Sequence, residues 1–150
     1  MICFFDKVRD KVTGFEGVVT AIHDPMTSAY QYGLQPPVKP DGNLPEIVTF
    51  DADAFEILEK KNQDQRVPFE NALYNYRDQV KCIITGFQGQ VVSRTEFLNG
   101  CIQYRVQGPL KKDGTIPSPE RFAERQLILV KPAPKKAVVK SGGPIMRGPL

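Results

Sequence analysis

Thr13-Gly14-Phe15-Glu16-Gly17-Val18-Val19 returns 72 residues later as Thr85-Gly86-Phe87-Gln88-Gly89-Gln90-Val91. Extending the same shift outward aligns residues 6–58 with 78–130 without a gap, giving 16 identities over 53 positions. Asp6 and Val8 return as Asp78 and Val80. Further on, Gln31, Tyr32, Gln35, Pro37, Lys39, Asp41, Gly42, Pro45 and Phe50 return as Gln103, Tyr104, Gln107, Pro109, Lys111, Asp113, Gly114, Pro117 and Phe122. A period of this length marks a duplicated structural unit.

Each copy reads as β. Val8 and Val12, then Phe15, Val18 and Val19, are strand formers, punctuated by Gly14 and Gly17 where the chain turns. Ala29–Gln35 and Cys101–Gln107 alternate so that every second side chain faces a core, and a Pro follows each. Asp41-Gly42 and Asp113-Gly114 are turn signals, and Asp51 caps a single helical turn before a last short strand. Four or five short strands per copy predict an all-β chain of two tandem SH3-like small β-barrels. The expected division is a first barrel over 1–58, a linker over 59–77 with a short helix near Val67–Tyr76, a second barrel over 78–130, and a C-terminal arm over 131–150.

The 150 residues leave room for this pair and little else. No apolar run approaches the ~18–20 residues of a membrane span, and Met1-Ile2-Cys3-Phe4-Phe5 is too short for a signal peptide. Cys3, Cys82 and Cys101 are scattered, away from the single His23, so they predict reduced, packed thiols and no metal site. One histidine and no nucleophile arrangement point away from an enzyme, and no cofactor motif is present. Gly14-Phe15-Glu16-Gly17 and its repeat lack the Gly-Lys-Ser/Thr of a phosphate loop and read as turns. Phe15, Phe87, Tyr32 and Tyr104 read as core rather than as base-stacking platforms.

Charge is unevenly spread. Residues 6–58 carry four Lys/Arg against nine Asp/Glu, residues 78–130 seven against five, and 131–150 five against none. An acidic first copy is a poor nucleic-acid surface, whereas opposite signs favour docking between copies or subunits. The tail, rich in Pro and Gly, cannot bury enough apolar surface to fold alone and predicts an arm laid along a neighbour. Its contact residues are expected to be Lys131, Lys135, Lys136, Lys140, Pro144 and Arg147. Gln31, Gln35, Gln103 and Gln107 are retained polar positions that either line an interface or satisfy backbone groups inside each unit.

The segment Asp6-Lys7-Val8-Arg9-Asp10-Lys11-Val12-Thr13-Gly14-Phe15-Glu16-Gly17, with Asn99-Gly100-Cys101-Ile102-Gln103-Tyr104 in the second copy, resembles small proteins encoded by tailed bacteriophages. In that family a Thr-Gly-Phe-x-Gly segment precedes Asn-Gly-Cys-x-Gln-Tyr and a Phe-Asp-x-x-x-Leu ending. The first copy departs from the middle motif with Thr27-Ser28-Ala29-Tyr30-Gln31-Tyr32. The resemblance implies a phage origin and a small barrel, and carries over no catalytic residue. A shorter stretch, Val139–Met146, is similar to the first strand of another small bacterial barrel family.

Together these readings predict a non-enzymatic virion component, made in the host bacterial cytoplasm, that binds other virion proteins in a homo- or hetero-oligomeric assembly. Capsid decoration, connector and tail-associated roles all fit. A phage protein that counters host defence by sequestering a nucleotide signal or a host protein is the alternative, and a nucleic-acid-binding barrel pair comes third.

Overall fold

The computed structural model describes residues 2–61 and 66–134. The chain is all-β. Its strands are β1 (Lys7–Asp10), β2 (Glu16–Asp24), β3 (Gln31–Gln35), β4 (Val48–Asp51) and β5 (Phe55–Glu59), then β6 (Gln79–Cys82), β7 (Gln88–Phe97), β8 (Ile102–Gln107), β9 (Glu120–Ala123) and β10 (Leu127–Lys131). One 3-10 turn precedes β5 (Ala52–Ala54) and another precedes β10 (Glu124–Gln126). Elements recur at the 72-residue offset seen in the sequence, to within a residue or so at their ends.

All ten strands join one antiparallel sheet, which is not closed into barrels. This corrects the expectation of two closed units. In each half the last strand pairs with the first, the first with the second, and the second with the third, which pairs with the fourth. β2 and β7 are the long strands, and each shifts register midway, between Val19 and Ala21 and between Val91 and Ser93. Such a bulge bends the strand away from its first neighbour. Beyond it, the edge that had faced β1 or β6 is free, and the two strands take each other: Ala21, Ile22, His23 and Asp24 pair with Phe97, Glu96, Thr95 and Arg94. The halves are thus joined edge to edge through β2 and β7.

The core is continuous across this seam. Val8, Val19, Ile22 and Leu34 from one half meet Val80, Val91, Tyr104 and Val106 from the other in one buried cluster. Phe15 packs on Phe50 at 5.2 Å and Phe87 on Phe122 at 5.5 Å, so the retained aromatics are core. Cys82 is buried, Cys3 half-buried and Cys101 exposed, and no disulfide forms between them.

Two buried carboxylates set the limits of each half. Asp6 accepts the N–H groups of Cys3 at 2.9 Å and Lys61 at 3.0 Å, and Asp78 accepts those of Asn75 at 2.8 Å and Ala133 at 2.7 Å. Each clamp ties the turn before the first strand to the residue beyond the last. The turn holds a non-glycine at positive φ in both copies, Phe5 at 72° and Arg77 at 71°. The repeated unit therefore reaches slightly wider than the identities suggest. Burial pushes the Asp6 pKa up, but the Lys60 ammonium 2.7 Å away and the backbone N–H donors outweigh it and hold it below the ordinary value.

The segment after residue 65 forms no helix; it runs through turns. Pro68 and the positive φ of Phe69 (63°) break the helical path. Instead the segment crosses the seam, with Phe69 and Tyr74 buried in the common core. It is therefore packed structure and not a free spacer.

Candidate functional site

The seam has a local two-fold character. His23 and Thr95 occupy equivalent positions in the two copies and face each other, with Nδ1 2.8 Å from Oγ1. On one side of them Asp24 pairs with Arg94 at 2.9 Å; on the other Ile22 faces Glu96. Equivalent positions thus exchange partners about the His23–Thr95 pair, as in an isologous interface. Their chemistry has diverged, and the linker completes it. Glu96 takes the Phe69 N–H at 2.6 Å and the Arg66 guanidinium at 3.3 Å, while Arg66 also donates to the Leu98 carbonyl and lies over the Phe4 ring at 4.7 Å. Arg94 stacks over Phe69 at 4.4 Å.

Beside the seam lies a cleft of ≈ 740 Å³, lined by Asp24, Met26, Tyr76, Arg77, Arg94 and Pro134 among others. Its mixed lining is where a small ligand between the copies would sit. The Arg94 guanidinium at its wall is already engaged by Asp24 and Phe69, which leaves Arg77, without an ion pair among the described residues, as its available cation. Among the described residues no group of three or more His, Cys, Asp or Glu is placed to hold a metal ion.

His23 belongs to a row of facing residues across six strands, Asp51, Gln31, His23, Thr95, Gln103 and Ala123, polar except at its Ala123 end. Burial lowers its pKa, and Arg121 and then Arg105 lower it further, with Asp24 opposing. The imidazole is therefore neutral near pH 7. As pH falls the unfolded chain takes this proton first, so the contribution of His23 to stability is full above about 6.5 and is lost as pH drops toward the depressed folded value. An NMR titration is expected to place the His23 midpoint below 6.5, and His23→Gln should flatten the stability profile in that window. A midpoint at or above the ordinary value would contradict the half-buried, cation-flanked setting.

The glutamines divide. Gln35 Nε2 donates to the carbonyls of Pro36 and Pro45, both at 3.0 Å, and Gln107 Nε2 to those of Gly108 at 3.2 Å and Pro117 at 2.7 Å. These two staple the same long loop in both copies and satisfy backbone groups. Gln31 donates to Asp51 at 3.2 Å, and Gln103 stands on the same outer face in the second half. Lys131 is not the start of an arm; it ends β10, opposite Gln79. Lys135, Lys136, Lys140, Pro144 and Arg147 lie outside the described residues, as does the expected arm beyond residue 134.

What sequence reasoning did not single out are the outer strands. β5 and β10 end the longest path through the sheet, β10-β6-β7-β2-β1-β5. Ile57 and Leu58 on β5, and Ile128, Leu129 and Val130 on β10, are all exposed; Leu129 is 49% and Val130 46% accessible. Consecutive exposed apolar residues mean that both faces of the strand are uncovered there. The signal lay in the apolar swaps Ile57 for Leu129 and Leu58 for Val130, which read equally well as core. No family model, curated protein or solved structure matches the chain.

Proposed function

We propose that the chain is a non-enzymatic structural or assembly protein of a tailed bacteriophage particle, made of two SH3-like units in open form, which binds other virion proteins through its sheet edges. The strand order 5-1-2-3-4, with a 3-10 turn before the last strand of each half, supports the SH3-like reading. One observation carries the binding role. Both terminal edges of the sheet present apolar side chains at equivalent positions, Ile57 with Leu129 and Leu58 with Val130. Open edges of this kind are templates for an added strand, and proteins that do not use them usually cover or charge them. On β5 the carboxylates of Glu56 and Glu59 are paired with Arg9 and Lys61, while β10 ends on Lys131. The virion setting comes from the resemblance to phage proteins. Mass spectrometry of purified particles is expected to find this chain in stoichiometric amount, and particles that lack it would overturn the virion role.

A further inference from the structure

The outer face of the second half carries a charge arrangement that the seam and the edges do not use. In the register of β7, β8 and β9, Ser93 stands opposite Arg105 and Arg105 opposite Arg121, so the three form one row on one face. Directly opposed residues have Cβ atoms ~4.5–5.5 Å apart, and like charges so placed destabilise a sheet. Both arginines are exposed and neither makes an ion pair among the described residues. At the head of the row the Ser93 hydroxyl is buried, 7% exposed, with no hydrogen-bond partner. A buried orphan hydroxyl is costly unless something satisfies it. In the first half the equivalent residues are Ala21, Gly33 and Thr49, so this row is not a by-product of the repeated fold.

We propose that Arg105 and Arg121 bind a phosphate group between them, with the Ser93 hydroxyl as a further donor. Two guanidinium forks supply planar, charge-assisted donors matched to an oxyanion, and the anion removes the repulsion between them. The ligand is compact, either free phosphate or a phosphomonoester on a small nucleotide. A long polyanion would have to cross the acidic first half, where the same face runs on to Asp51.

His23 is the only histidine and lies close enough to both arginines to feel their charge, which makes its ring an internal reporter. With the full chain at pH 7.5, titration with inorganic phosphate is expected to shift the His23 ring resonances saturably, whereas chloride at equal ionic strength does not. Phosphate should also raise the His23 titration midpoint. Arg105→Gln with Arg121→Gln should weaken the response at least about tenfold, since each charge-assisted bond contributes roughly that factor, and should by itself raise the His23 midpoint. Ser93→Ala, which keeps both arginines, should weaken phosphate by a smaller factor and covers the case in which the double variant does not fold. A nucleoside monophosphate binding more tightly than phosphate assigns a nucleotide, and equal binding assigns free phosphate. A response equal to that of chloride, one unchanged in the variants, or affinity for single-stranded oligonucleotides that grows with length would overturn the proposal.

Discussion

Replacing Asp24 with alanine is expected to destabilise the chain by about 3–5 kcal/mol, the cost of leaving a buried cation without its partner. Both members of the pair are largely covered, with side chains 9% and 18% accessible for Asp24 and Arg94. The loss is also local to the backbone, because Asp24 Oδ1 accepts the N–H of Met26 at 2.8 Å in a turn where Met26 has φ 66°. Arg94 in turn holds the Phe69 ring, so the linker loosens with it. Because the core is continuous across the seam, urea unfolding of the native chain should be a single transition, and the variant should keep a single transition at a lower midpoint. Combining Asp24→Ala with Arg94→Leu should recover part of the loss, since no charge is then stranded. A cost below about 1 kcal/mol, the range of an exposed pair, would mean that the seam is not sealed as described.

Gly89→Ala has the second large effect, and the repeat provides its control. A Cβ at Gly89 would lie 2.2 Å from the Gln107 carbonyl oxygen and 2.7 Å from its carbon, so the backbone of β7 or β8 must move. At the equivalent Gly17 the nearest atoms, on Leu34 and Gln35, are 3.0 Å away. Gly89→Ala is therefore expected to cost about 2–3 kcal/mol, as overpacking against unyielding backbone does, and Gly17→Ala distinctly less. Comparing urea midpoints of the two variants checks this. Equal costs would show that the two strand crossings are alike, against the geometry.

The strands were legible because the repeat exposed them. Thr-Gly-Phe-x-Gly marks the first turn of each copy, and Gly14 and Gly86 do adopt φ near 80° there. Alternation in Gln31–Gln35 and Ile102–Gln107 likewise tracks the buried face, where Tyr32, Leu34, Tyr104 and Val106 point inward. What was not legible is which strand edge takes which neighbour. Asp24 before Pro25 reads as the end of a strand, and nothing local says that its partner is Arg94, 70 residues on. Strand number suggested closure, but closure depends on where β2 and β7 bend, and the bulges at Val19–Ala21 and Val91–Ser93 leave no unusual residue to mark them. The helix expected near Val67–Tyr76 fails for a tertiary reason as well as a local one, because Phe69 and Tyr74 are drawn into the shared core. Tyr74 donates from its hydroxyl to the Leu127 carbonyl at 2.8 Å and meets the Tyr104 ring edge-on at 5.2 Å. Retention of Asp6 and Asp78 was visible in the repeat, but their clamping role needed the positions of Lys61 and Ala133, 55 residues away in each copy.

The edge strands deserve the decisive test, since the assembly role rests on them. Leu58→Lys and Val130→Lys place a charge on each exposed edge, the device by which sheets discourage added strands, at positions whose side chains are already accessible. Purified full chain and the doubly substituted chain would be mixed with particles lacking the protein, and the bound fraction measured after sedimentation, with unfolding midpoints as a check on the fold. The full chain is expected to bind to saturation and the substituted chain, equally folded, to stay in the supernatant. Equal binding by both, or by neither, would overturn assembly through the sheet edges.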